Sequence, residues 1–142
     1  MKIKVLLVDD EKDFIETLAQ RLEVRGFEVK TAFSGDECLD LIQEHEFDVI
    51  VLDVLMPGKD GIETLREIKS LKPLLYVIML TGHATVETGI EGMKLGAYDY
   101  LIKPTETADL VDKITKAHHL KAEHEERICN AETKRIIKKR GW

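Results

Sequence analysis

The chain has 142 residues, enough for one well-buried domain and too few for two of ordinary size. An apolar share of 44% beside 34% charged residues excludes a disordered chain, and no apolar run nears the roughly 20 residues that a bilayer demands. The net charge of −6 is unevenly spread: residues 1–104 carry 12 basic and 20 acidic side chains, residues 105–142 carry 9 and 7. The body is therefore a poor nucleic-acid binder by bulk electrostatics, and only the end of the chain has the opposite sign. Cys38 and Cys129 have no metal-ligand spacing, so no disulfide framework is expected and a reducing cytoplasm is. The first strand begins almost at once, which leaves no stretch for a signal peptide ahead of it.

Short β-like runs alternate with longer amphipathic ones along the chain. Val5–Val8 is an unbroken apolar run, as a strand buried on both faces requires. Phe14, Ile15, Leu18, Ala19 and Leu22 then recur at helical spacing, and Gly26 stands where a helix stops. Residues 27–32 alternate like an edge or half-buried strand, and Ser34 is placed to cap a second helix that turns Cys38, Leu39 and Ile42 inward. A second apolar strand over 49–53 ends in Asp53. Pro57, Gly58 and Gly61 break the chain before a third stripe, Ile62, Leu65 and Ile68. Residues 74–80 are the next buried strand, closed by Thr81 and Gly82, and Val86, Ile90 and Met93 mark the fourth helix. A last strand over 98–102 stops at Lys103-Pro104, and Leu110, Val111, Ile114 and Ala117 begin the fifth helix. Five β–α units in regular alternation predict a doubly wound α/β domain: five parallel strands with helices on both faces.

Such sheets take ligands in the crevice beyond the carboxyl ends of the strands. At those ends stand Asp9, Asp10, Asp53, Thr81 and Lys103. One acid suffices to cap a helix; three converging carboxylates call for a cation. Hard oxygen ligands with room for water favour Mg²⁺. No Gly-rich phosphate loop and no nucleophile elbow is present, so the remaining nucleophile is a carboxylate. Asp53 could take a phosphoryl group as an acyl phosphate, with Mg²⁺ and Lys103 neutralising the transferred oxygens and Thr81 hydrogen-bonding the attached group.

"VLLVDDE", "DVIVLDVLMPGKDG", "VIMLTGHA" and "GAYDYLIKP" together resemble a response-regulator receiver domain of bacterial two-component signalling, over residues 3 to about 118. The stretch from Thr81 to Pro104 is similar to receivers of the nitrogen-regulation type. The resemblance implies that Asp53 accepts a phosphoryl group from the phosphohistidine of a sensor histidine kinase or of a histidine phosphotransfer protein. It implies that Asp10, Asp53 and the Leu55 carbonyl hold Mg²⁺ directly, with Asp9 acting through water. Thr81 and Lys103 would bind the phosphoryl oxygens, and Tyr100 would be the aromatic that changes rotamer with the state. A haloacid-dehalogenase-type phosphatase also uses a strand-end Asp, but Leu55 stands where its second, proton-moving Asp is needed. The chain is thus expected to be a signalling phospho-acceptor, self-catalysed, rather than an enzyme. Leu55 and His83 flank the acceptor and switch positions, and an apolar Leu55 points to slow loss of the phosphoryl group.

Asp48 and Asp60 read as surface acids. Gly89 and Gly92 inside the fourth helix each cost about 1 kcal/mol against Ala; close packing and a softened switch helix are both open readings. The division expected is a receiver over 1–120 and a charged, helix-compatible tail over 121–142, either continuing the fifth helix or forming another. His118, His119 and His124 do not share a face, so no metal site is expected there. Leu110, Ile114, Ala117 and Leu120 would begin a dimer seam whose heptad fails at His124 and Arg127, which leaves a homodimer open. Lys134, Arg135, Lys138, Lys139 and Arg140 give a basic end. Two functional classes follow. One is a stand-alone, phosphorylation-controlled module acting on a downstream protein. The other is the receiver part of a DNA-binding transcription regulator whose output is absent or minimal; fewer than 30 residues follow the fifth helix, so DNA binding by this chain is not expected, nor is a membrane partner.

Overall fold

The structure is a computed structural model that describes residues 2–54, 61–82, 86–103 and 105–139, leaving aside the side chains of 81, 86–88, 124, 125 and 128–139. Its elements alternate as expected: β1 (Lys4–Val8), α1 (Lys12–Val24), β2 (Glu28–Ala32), α2 (Gly35–Glu44), β3 (Val49–Leu52), α3 (Gly61–Leu71), β4 (Tyr76–Thr81), α4 (Val86–Lys94), β5 (Asp99–Ile102) and α5 (Thr107–Lys139). All strand pairs are parallel, in the order β2-β1-β3-β4-β5. The chain therefore winds one way from β1 to β2 and the other way from β3 onward, which opens a crevice between β1 and β3.

Two apolar layers cover the sheet. Ile15, Leu18 and Leu22 of α1 join Leu110, Ile114 and Ala117 of α5 on one face, over Val5, Leu7, Val51 and Ile78. Cys38 and Ile42 of α2 join Leu65 and Ile68 of α3 on the other, over Leu6, Val8, Ile50 and Val77. Successive residues of β1 and β3 thus alternate between two buried faces, which is why their sequences are unbroken apolar runs. Edge strand β2 is only half buried, as its alternation indicates.

Local signals act where expected. Ser34 Oγ accepts the Glu37 N–H at 3.1 Å as the cap of α2, and Gly26 takes φ +93° after α1, a conformation costly for any residue with a Cβ. Burial pushes the Cys38 thiol up to about 12, which makes it a packing group rather than a reactive one.

Other placements differ from the sequence reading. Asp48 is half-buried rather than a surface acid: its carboxylate accepts the Lys4 N–H at 2.8 Å and ties β3 to β1. Ile90 and Met93 are periodic yet about half exposed, so only part of α4 is bound into the core. Asp60 lies outside the described residues, as do Pro57 and Gly58. Gly61 does not merely break the chain. It opens α3, and its N–H donates to the Val54 carbonyl at 2.7 Å.

Close approach explains three glycines. A Cβ at Gly61 would collide with the Asp53 carbonyl oxygen and Val54 Cα, both backbone. One at Gly92 would meet the flexible end of Met79, and one at Gly89 would press on the Tyr100 ring at 3.3 Å. Among the described residues, both interior glycines of α4 thus stand in close contacts, as the packing reading expects. Gly61→Ala should destabilise the protein by about 3 kcal/mol, because backbone cannot yield. Gly92→Ala should cost less than about 1 kcal/mol, since Met79 can repack and Ala favours the helix. Urea midpoints of the two variants check the ranking.

Candidate functional site at the strand ends

The sheet register brings the acids together. Val8 pairs with Leu52, and beyond them Asp53 N donates to the Val8 carbonyl at 2.9 Å while Asp9 N donates to Ala32 O at 3.1 Å. Asp9 and Asp53 therefore leave neighbouring strands at the same level, at the point where the winding reverses. Both are buried, at 4% and 5% exposure, whereas Asp10 is exposed. One carboxylate oxygen from each of Asp9, Asp10 and Asp53 falls within 4.8 Å of the other two. Three oxygen donors this close, one of them open to solvent, fit a hard divalent cation that keeps several waters.

A lysine from the end of β5 offsets part of this charge. Lys103 Nζ lies 2.6 Å from Asp9 Oδ2, 3.4 Å from Glu11 Oε1 and 3.8 Å from Asp53 Oδ2. Asp9 is held at both oxygens, since Oδ1 accepts the Glu11 N–H at 3.0 Å. Burial alone would lower the Lys103 pKa; the hydrogen bond from Asp9 and the charges of Asp9, Asp53 and Glu11 outweigh it and raise the pKa.

Asp9, Asp10, Asp53 and Lys103 are thus brought to one place. Thr81 ends β4, paired with Ile102 next to Lys103, but its side chain is outside the description. Leu55, His83 and Pro104 lie outside the described residues. Tyr100 is 39% exposed, at the outer strand against Gly89, and so is not a core aromatic. Two contributors escaped the sequence reading. Phe14, taken for part of the apolar stripe, lays its ring 4.4 Å from Lys103 Nζ and covers the ammonium. Glu11 supplies both an N–H to Asp9 and a carboxylate near Lys103. No signal in the sequence marks Phe14, because the same residue satisfies the helix period; Glu11 was visible only as a third acid. Of the tail histidines, His119 pairs with Glu123 at 3.1 Å and His118 lies 3.6 Å from Asp48, while the His124 side chain is outside the description.

The model of the response regulator receiver domain matches residues 5–115. Among curated proteins, the transcriptional regulatory protein ZraR of Salmonella typhimurium is 40% identical over 116 residues, covering 82% of this chain and 26% of that protein. The ZraR of Escherichia coli K12 is 41% identical over 115 residues, covering 81% and 26%. The chain thus spans about a quarter of the length of these relatives. Among solved structures, a CheY-like receiver domain protein of Methanospirillum hungatei matches with TM-score 0.84 at 30% identity, over 87% of this chain and 99% of that one. NtrX of Brucella abortus matches with TM-score 0.83 at 34% identity, over 89% and 29%.

The raised pKa of Lys103 has a definite sign in stability. A folded-state pKa above the unfolded value stabilises fully below the unfolded value, roughly 10.4, and is lost as pH rises through the folded one. The stability difference between wild type and Lys103→Met should therefore be constant at neutral to mildly alkaline pH and shrink above about pH 10.4, read by urea unfolding.

Proposed function

Because the chain belongs to the response-regulator receiver domain family of two-component signalling, we propose that Asp53 is its phospho-acceptor and that Asp9, Asp10 and Asp53 hold Mg²⁺. The observation that carries this reading is the meeting of three carboxylate oxygens within 4.8 Å beside the Lys103 ammonium. An Asp53 oxygen attacks phosphorus in line, and the new O–P bond forms as the bond to the donor's imidazole nitrogen or acyl oxygen breaks. Bound Mg²⁺ supplies charge neutralisation at the transferred oxygens. Lys103, near Asp53 but hydrogen-bonded to Asp9, turns toward the incoming phosphoryl group, and Phe14 keeps its ammonium screened from water. Thr81 follows as the hydroxyl that binds the attached group, the Leu55 carbonyl as a further metal ligand, and Tyr100 as the aromatic that registers the change. The donor is a phosphohistidine of a sensor kinase or phosphotransfer protein, and the phospho-form acts in the cytoplasm on a downstream protein. Turnover of a substrate is not part of this reading. Residues 1–120 form the receiver, and 121–142 belong to an extension whose backbone continues α5 as far as Lys139.

A second reading has its own support. The curated relatives are transcriptional regulatory proteins, of which this chain matches about a quarter, so it would serve as the receiver part of a DNA-binding regulator. Salt-dependent binding of the chain to duplex DNA would favour that reading, and the absence of binding would favour the stand-alone module.

Incubation with Mg²⁺ and a small acyl-phosphate donor should add one phosphoryl group, about 80 Da, by intact mass. The adduct should be absent from Asp53→Asn and strongly reduced on chelation of Mg²⁺ or in Asp10→Asn. An adduct that persists in Asp53→Asn would move the acceptor elsewhere, and no adduct in any condition would remove phosphorylation from the reading.

A further inference from the structure

At the opposite end of the strands, about five residues or roughly 16 Å from Asp53, lies a cavity of about 640 Å³. That volume is in the range of small-molecule sites. Its floor is apolar, from the buried Ile42, Phe47 and Leu75, and Leu71 and Leu74 stand on its rim with 48% and 38% of their surfaces exposed. His45 meets Phe47 edge-to-face at 6.4 Å, which adds an aromatic wall.

The charge around it is inverted relative to the domain. Lys2, Lys4, Lys72 and Lys121 line the cavity against Glu46 and Asp48, whereas residues 1–104 as a whole hold 20 acids to 12 bases. Asp48 is partly spent on the Lys4 N–H. His118 also lines the cavity, and its buried Nδ1 has no hydrogen-bond partner; Asp48 Oδ1 is too far at 3.6 Å. No hydrogen bond at that atom has to break when the ring turns toward an arriving oxygen.

One wall is also fixed in advance. Lys69 Nζ donates to the carbonyls of Pro73 and Leu75, both at 2.9 Å, and so pins the segment that carries Leu74. A site built this way spends little ordering entropy on binding.

We propose that this cavity binds a planar aromatic carboxylate. The rings of His45 and Phe47 and the leucines take the aromatic body, and Lys72 and His118 face the carboxylate. The site is independent of the phospho-acceptor, and His118 and Lys121 place it against the helix that leaves the domain.

The test is titration of the full chain with 2-naphthoate, and with neutral 2-naphthamide, followed by amide ¹H–¹⁵N NMR. Naphthoate should give saturable shifts confined to residues 2–4, 42–48, 71–75 and 118–121, with a dissociation constant of about 1 mM or lower. Naphthamide should bind at least about fivefold more weakly. Lys72→Glu, folded by the same spectrum and still phosphorylated by the acyl-phosphate donor, should weaken naphthoate at least about fivefold and leave naphthamide unchanged. The proposal is overturned by shifts that do not saturate by about 10 mM. Equal binding of the two probes, insensitivity to Lys72→Glu, or shifts centred on Ile90, Met93 and Tyr100 would overturn it equally.

Discussion

Two carboxylates buried side by side are the constraint around which the rest of the domain is arranged. Asp9 and Asp53 end adjacent strands at one level, so the ladder that builds the sheet also forces like charges together. In a low-dielectric setting that repulsion is costly unless a cation answers it. The fold provides one from a distance: Lys103 follows β5, across β4 from Asp53 and across β3 and β4 from Asp9, and reaches Asp9 at 2.6 Å. The ring of Phe14 and the carboxylate of Glu11 hold that ammonium in place. The arrangement leaves net negative charge and an exposed Asp10 facing solvent, which is what a site for a hard cation needs.

The backbone supports the site as closely as the side chains do. Gly61 packs against the Asp53 carbonyl, so α3 begins directly on the strand that ends in the acceptor candidate. Close packing of this kind accounts for a glycine at a helix start, where propensity alone would choose another residue.

Much of this was legible in the sequence, for identifiable reasons. Strands buried on both faces leave unbroken apolar runs, and acids placed after two such runs, at Asp9 and Asp53, are hard to explain as caps. Ser34 and Gly26 carry their own local chemistry and acted as read. The convergence of Asp9, Asp10 and Asp53 followed from the crevice at the strand ends, whereas the register that sets Val8 against Leu52 depends on contacts between elements distant in sequence and was not legible. Periodicity identified α4 but not its environment: Ile90 and Met93 fit the helix and still face outward. Phe14 shows the same limit from the other side, since one residue can satisfy the helix period and also cover a lysine. Asp48 looked like any surface acid until its partner, the backbone N–H of Lys4, was placed beside it.

The contacts of α4 tie it to β4 and β5. Met79 on β4 fills the space left by Gly92, and its register partner Tyr100 on β5 lies against Gly89. Met79 thus joins β4 to α4 through a flexible thioether, and the strand ladder joins it to β5. Met tolerates shifts that a branched side chain would resist. The glycines that lower the helix propensity of α4 are the same ones that let these two contacts form. Among its described side chains, α4 is thus fastened at small residues against Met79 and Tyr100, with Ile90 and Met93 half exposed.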